Sequence, residues 1–149
     1  MDARQLLQII AATPLVSIDL VIRNEKDQVL LGKRANRPAQ NSWFVPGGRI
    51  RKNERIEDAF ARIFQAELGL AFPFSKARLL GAYNHIYPDN FLGESGINTH
   101  YVVLAYACTL NSAARLHPDA QHDSLQWWEI PQLLSEPNVH ENTKAYFAG

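Results

Sequence analysis

The stretch GGRIRKNERIEDAFARIFQAELGL, from Gly47 to Leu70, constrains this chain more than any other. It joins a double glycine to a polar loop and then to an amphipathic helix. A helix advances about 100° per residue. With Ile56 at zero, Phe60 falls at about 40°, Ile63 at about −20° and Leu70 at about −40°, which marks one apolar stripe. Glu67 falls at about 20°, in the middle of that stripe. A carboxylate taken from water costs several kcal/mol unless a cation, strong donors or a raised pKa compensates. Helix geometry leaves three solutions open: an arginine partner, a last turn that reaches water, or a hard metal ion. Magnesium accepts carboxylate, backbone carbonyl and phosphate oxygens together. The double glycine could offer such a carbonyl, because a residue without Cβ lets backbone approach a ligand closely.

The rest of the chain frames this element. Its 149 residues suffice for one domain with a sizeable core, and residues 1–149 are read as a single domain. With 46% hydrophobic and 20% charged residues, disorder is not expected. A formal net charge of zero argues against a general nucleic-acid binder. Charge is nevertheless concentrated: residues 33–62 hold eight cations, Arg34, Arg49 and Arg62 among them, against Glu54, Glu57 and Asp58. Either these form a solvated surface or some converge on a small polyanion such as a diphosphate. Cys108 is the only cysteine, which fits a reducing compartment. The first residues are too short and interrupted for a signal peptide's apolar core, and no apolar run approaches membrane-spanning length. A soluble cytoplasmic protein is expected, without a membrane or nucleic-acid partner.

Alternation in TPLVSIDLVIRN predicts a strand with Val16, Ile18, Leu20 and Ile22 on one face and Ser17, Asp19 and Val21 on the other. VLLGKR follows after a turn as a hairpin partner, and WFVPGG reads as a short strand that stops at Pro46 and the glycines. Asn53 suits a helix cap, Glu54, Glu57 and Asp58 suit the helix's positive end, and Gly69 suits its stop. RLLGAYNHIY and HYVVLAYACTL predict two further strands around a turn-rich loop. LQWWEI reads as a strand, PQLLSE as a short helix and VHENTKAYF as a terminal helix. Trp127 and Trp128 alternate, so one belongs to the core, and neither is assigned to the site. Strands and helices interspersed in this way predict an α/β or α+β sandwich.

The Gly48–Leu70 spacing resembles the Nudix box, a loop-helix-loop pattern. Glycine is followed six residues later by glutamate, and then, after seven more, by Arg-Glu-apolar-x-Glu-Glu-x-Gly-apolar. Gly48, Glu54, Arg62, Phe64, Glu67, Gly69 and Leu70 match; Ile63 and Ala66 stand where two of the glutamates belong. The resemblance implies the Nudix fold, an α/β/α sandwich with a mixed β-sheet. With two carboxylates gone, one divalent ion is the expected complement. One ion neutralises a diphosphate but is less suited to clamping both attacking water and leaving group, as paired metals do.

Together with TPLVSIDLVI, LLGKRANRPAQNSWFVPGGR, THYVVLAY and PDAQHDSLQWW, the modified box is similar to the GDP-mannose mannosyl hydrolase branch of that family. The likeness runs from about Thr13 to Phe147. It implies attack of water on the anomeric carbon of GDP-mannose or GDP-glucose, with inversion. It also implies one Mg2+ ion per subunit, replaceable by Mn2+, and a homodimer. By the same resemblance, Gly47 (through its carbonyl), Glu67 and Gln121 correspond to the metal ligands, and His122 to the general base. Arg34, Arg49 and Arg62 correspond to positions that assist the departing diphosphate or organise the site, Arg62 alternatively bracing the turn through Glu54. Asp19 corresponds to a sugar-contacting or orienting acid, and His85 and Tyr101 to positions near the mannosyl group. His117 and His140 are read as structural. A Nudix pyrophosphatase cleaving P–O, or a non-catalytic nucleotide-binding module, are the alternatives.

Overall fold

A computed structural model describes residues 1–117 and 122–148, with the backbone alone for residues 122–124. Gln121 lies outside the described residues, as does the side chain of His122.

Residues Ala3–Ala12 form helix α1. A capping box starts it: Asp2 Oδ1 accepts the Gln5 N–H at 2.8 Å, and Gln5 Oε1 accepts the Asp2 N–H at 2.9 Å. Strand β1 (Leu15–Arg23) carries the expected alternation, and Ile18, Leu20 and Ile22 are fully buried. Val16, placed on the same face near the start of the strand, is 43% exposed. Strand β2 is Val29–Arg34. Strand β3 is only Trp43–Phe44.

The short strand does end ahead of Pro46, but the glycines beyond it open a strand of their own. Gly47–Arg49 forms strand β4, antiparallel to β1, with Asp19 opposite Gly47 and Ile18 opposite Gly48. Tight contact explains the composition. A Cβ on Gly48 would come within 3.0 Å of Ile63 Cγ1, and one on Gly47 within 2.8 Å of Asp19 Oδ1.

Helix α2 spans Ile56–Leu68 and buries Ala59, Phe60, Ile63, Phe64, Glu67 and Leu68. Its N-cap is Arg55, not Asn53, which turns the chain with φ 66°. No side chain caps that end. Glu57 and Asp58 in the first turn supply the negative charge the helix dipole favours. Gly69 ends the helix in the left-handed conformation, φ 72°. Ile56 begins the helix but is 40% exposed, so the buried stripe starts at Ala59.

Strand β5 (Arg78–Tyr87) pairs antiparallel with β6 (Thr99–Thr109). Strand β6 runs parallel to β1 along its whole length, from Leu15 opposite Tyr101 to Arg23 opposite Thr109. Buried Asn90 organises the loop between β5 and β6, donating to the carbonyls of Glu94 and Ile97 and accepting from the N–H groups of Leu92 and Glu94. Strand β7 (His122–Trp128) is antiparallel to β2. Helices α3 (Ile130–Ser135) and α4 (Glu141–Lys144) follow.

The described strands form one mixed sheet of order β3-β2-β1-β6-β5, with β4 against β1 and β7 against β2. One face packs on α2 through Ile18, Leu20, Ile22, Phe60, Phe64 and Tyr106. A second cluster, with Val29, Leu31, Val45, Trp128 and Leu133, lies under α3 and the C-terminal segment. The result is the expected α/β/α arrangement with a mixed sheet. Trp128 is core in the second cluster and Trp127 packs against the first, as alternate strand faces require. No helix among the described residues is long and apolar enough to cross a membrane.

Candidate active site

Glu67 is 2% exposed. Its position on α2 turns it toward β4, where its Oε1 accepts the Gly47 N–H at 3.2 Å. That N–H is available because of strand register. Leu20 N–H bonds to the Pro46 carbonyl and Ile50 N–H to the Val16 carbonyl, which makes Asp19 and Gly47 a non-hydrogen-bonded pair. In such a pair the N–H and carbonyl leave the ladder on the far side. Gly47 therefore turns its polar backbone toward the carboxylate of Glu67.

A cavity of about 220 Å³ opens at this junction. Gly47, Arg49 and Glu67 contribute from the box, Asp19 from β1 and Arg34 from the end of β2. His85 from β5 and Tyr101 from β6 close the wall, directly opposite one another in the β5–β6 register. Seven residues singled out from sequence thus meet in one cleft. A larger open cavity of about 690 Å³ adjoins it, sharing Arg34, Arg49 and Tyr101, with α1 and the loops between β2 and β3 and between β5 and β6 among its other walls.

Burial sets the charges here. It pushes the Asp19 carboxyl up to about 7, against the opposing pull of the Tyr146 hydroxyl and of Arg34. Burial, with His140 nearby, holds the His85 ring down to about 4, so the imidazole is neutral at pH 7. Burial also raises the Tyr101 hydroxyl, while Arg34 and Arg49 draw it back. Arg34 places its guanidinium 5.3 Å from the centroid of the Phe44 ring.

Arg62 does not line this cavity. Its Nε donates to Glu54 Oε2 at 2.8 Å and its Nη2 to Glu54 Oε1 at 2.9 Å, with a further bond from Nη2 to the Arg49 carbonyl at 2.8 Å. The guanidinium braces the polar loop through Glu54 and holds the backbone of Arg49. The paired arginine holds the Glu54 carboxyl down to about 2. Ile63, one of the departures from the box, is core beneath Gly48, and Ala66, the other, is exposed.

His140 is structural, its Nδ1 accepting the Asn142 N–H at 3.0 Å and its ring stacked on Phe44. His117 packs against the end of α2, its N–H bonded to the Leu68 carbonyl at 2.8 Å. Tyr146 was not anticipated: its hydroxyl donates to Asp19 Oδ2 at 2.7 Å across 127 positions of sequence. Nothing in its local sequence signals that contact.

The donor set suits a hard cation. Glu67 supplies carboxylate oxygen and Gly47 a backbone carbonyl on the same side of β4. Among the described residues no group of three or more His, Cys, Asp or Glu could hold a metal ion.

Residues 13–148 match the NUDIX domain. The chain belongs to the Nudix family. Among Nudix relatives, it is 43% identical over 132 residues to the low-salt glycan biosynthesis protein Agl8 of Haloferax volcanii, covering 88% of this chain and 81% of Agl8. It is also similar to the crystal structure of a MutT Nudix hydrolase from Burkholderia pseudomallei, with a TM-score of 0.71 and 27% identity over 89% of this chain and 95% of that one. A MutT protein from Methanosarcina mazei shares the fold at a TM-score of 0.72 and 19% identity, over 91% and 92% of the two chains.

Proposed function

We propose that this Nudix protein hydrolyses a GDP-sugar, GDP-mannose above GDP-glucose, breaking the sugar C–O bond to release GDP and free sugar with inversion. Hydrolysis of nucleoside diphosphate derivatives is the coarser reading that family membership supports. The observation that carries the finer one is the state of the box: Glu67 is its inward carboxylate, while Ile63 is committed to the core and Ala66 faces outward. A box with so few carboxylates suits one divalent ion better than two. The name of Agl8, a glycan biosynthesis protein, fits a sugar-nucleotide substrate.

Glu67 and the Gly47 carbonyl would hold Mg2+, or Mn2+ in its place, with Gln121 as the third protein donor on the family resemblance. The bound ion supplies charge that neutralises the diphosphate. Arg34 and Arg49, at the mouth of the cleft, bind the diphosphate and stabilise the negative charge that grows on it. An inverting glycosidase needs a base for water and help for the leaving oxygen. With GDP as leaving group, charge stabilisation serves in place of a proton. His122 is assigned the base, taking one proton from water as its oxygen bonds to the anomeric carbon. The C–O bond breaks and its electron pair leaves on the diphosphate oxygen. Asp19, His85 and Tyr101 form the polar wall that faces the sugar. The homodimer and a cytoplasmic setting belong to the same proposal.

Chromatography of the nucleotide product tests this reading. GDP from GDP-mannose, dependent on magnesium, supports it. GMP with mannose phosphate would establish the pyrophosphatase alternative, and tight nucleotide binding without turnover a binding module.

A further inference from the structure

The reach of the C-terminal segment to Asp19 assigns a function to a residue that the box does not include. Tyr146 follows α4 and is not part of the cleft wall. Its hydroxyl lies 2.7 Å from Asp19 Oδ2 and 3.4 Å from His85 Nε2. One hydroxyl carries one proton, and with Asp19 ionised the shorter contact, to its carboxylate, takes it. The Tyr146 oxygen then has lone pairs left for His85, and His85 Nε2 meets it as an N–H donor. The ring nitrogen nearest Asp19, Nδ1, is 3.9 Å from Oδ2, too far for a hydrogen bond.

The two oxygens of Asp19 are thereby sorted. Oδ2 is held from behind by Tyr146, while Oδ1 lies over Gly47, in the space a side chain there would fill. The tyrosine ring is itself fixed, edge-on to Tyr83 with centroids 5.1 Å apart. Asp19, His85 and Tyr146 come from β1, β5 and the chain terminus, so the hydroxyl joins three separate parts of the fold.

We propose that Tyr146 is a positioning residue for the sugar wall: its hydroxyl bridges His85 and Asp19, fixing the imidazole as the Nε2–H tautomer and the carboxyl in one orientation. The catalytic part of this inference rests on the hydrolase reading above; the bridge itself does not.

Tyr146→Phe keeps the ring and removes the hydroxyl. In the native protein, proton–nitrogen NMR of the histidine side chains should show a His85 Hε2 signal, displaced downfield and protected from solvent exchange. In the variant that signal should move upfield or vanish into exchange. Turnover of GDP-mannose should fall roughly tenfold, with KM changed less than about twofold, because an orienting hydrogen bond is lost and not a binding contact. An unchanged Hε2 signal, or a native His85 in the Nδ1–H form, would overturn the bridge. A normal signal change with undiminished turnover would overturn the positioning role. Should the phenylalanine variant fail to fold, 3-fluorotyrosine placed at position 146 serves instead: its more acidic hydroxyl must shift the His85 Hε2 resonance, and no shift would refute the contact. A native protein that leaves GDP-mannose intact would count against the hydrolase reading alone, since the spectrum still decides the bridge.

Discussion

Glu67 Oε1 accepts the backbone N–H of Gly47 at 3.2 Å, joining the last turn of α2 to a strand of three residues. The contact places a buried carboxylate beside a backbone carbonyl at the floor of the cleft. Replacing Glu67 by glutamine keeps size and hydrogen-bonding shape but removes the charge a magnesium ligand needs. The Glu67→Gln protein should lose at least about tenfold in turnover and need more magnesium for what remains. Titration of activity with magnesium checks this. Full turnover at ordinary magnesium levels would exclude Glu67 as a ligand.

The Arg62–Glu54 pair predicts a pH effect on stability. The Glu54 carboxyl is held at about 2, below its ordinary 4.5, chiefly by the Arg62 hydrogen bonds. A depressed carboxylate contributes stability that is present above its unfolded value and lost as pH falls toward its folded one. Urea midpoints of native protein and Glu54→Gln should therefore differ clearly at pH 6 and converge as pH falls from 4.5 toward 2. Arg62→Lys should also destabilise, by about 1–3 kcal/mol, since an ammonium cannot make the forked contact. A constant difference across this range would show that the pair does not govern stability.

His85 should remain neutral well below the usual histidine range. Burial lowers it from 6.5 to about 4. The unfolded chain then binds more protons than the folded one between those values, so this group makes stability fall as pH drops through that window. Carbon-detected titration of the His85 ring should show its inflection near the lower value. An inflection at the ordinary value would mean that solvent reaches the ring.

Gly69 is expected to tolerate no side chain. It sits at φ 72°, and an added Cβ would come within 2.6 Å of His117 Cβ. Gly69→Ala should cost at least about 1 kcal/mol, through left-handed strain and displacement of the segment bearing His117. Thermal unfolding measures this. A variant as stable as the native protein would mean that the helix end relaxes freely.

Local pattern made much of this legible. Val29–Arg34 and Arg78–Tyr87 follow from apolar, β-favouring runs between turns, and the inward aim of Glu67 follows from helical spacing alone. The start of helix α1 does carry a local signal, since Asp2 and Gln5 stand at capping-box spacing. Asn53 satisfied the composition rule for a cap, but the same residue type tolerates positive φ, and the turn took it. The role of Gly47 and Gly48 was only half visible: close approach was inferred, whereas strand pairing with β1 depends on a contact nearly thirty residues away. Long-range register of that kind also hides Tyr146, whose hydroxyl meets Asp19 only after the chain has closed its sheet. Gln121 and the His122 side chain lie outside the described residues, and their parts rest on resemblance.

In the proposed reaction water attacks carbon and not phosphorus. Hydrolysis of GDP-mannose in heavy-oxygen water with magnesium, followed by mass spectrometry of both products, measures this directly. The proposed reaction puts the label in mannose and leaves GDP unlabelled. Label in GMP or in mannose phosphate would contradict it, and would mean that this box cleaves P–O even with Ile63 buried in the core and Ala66 turned to solvent.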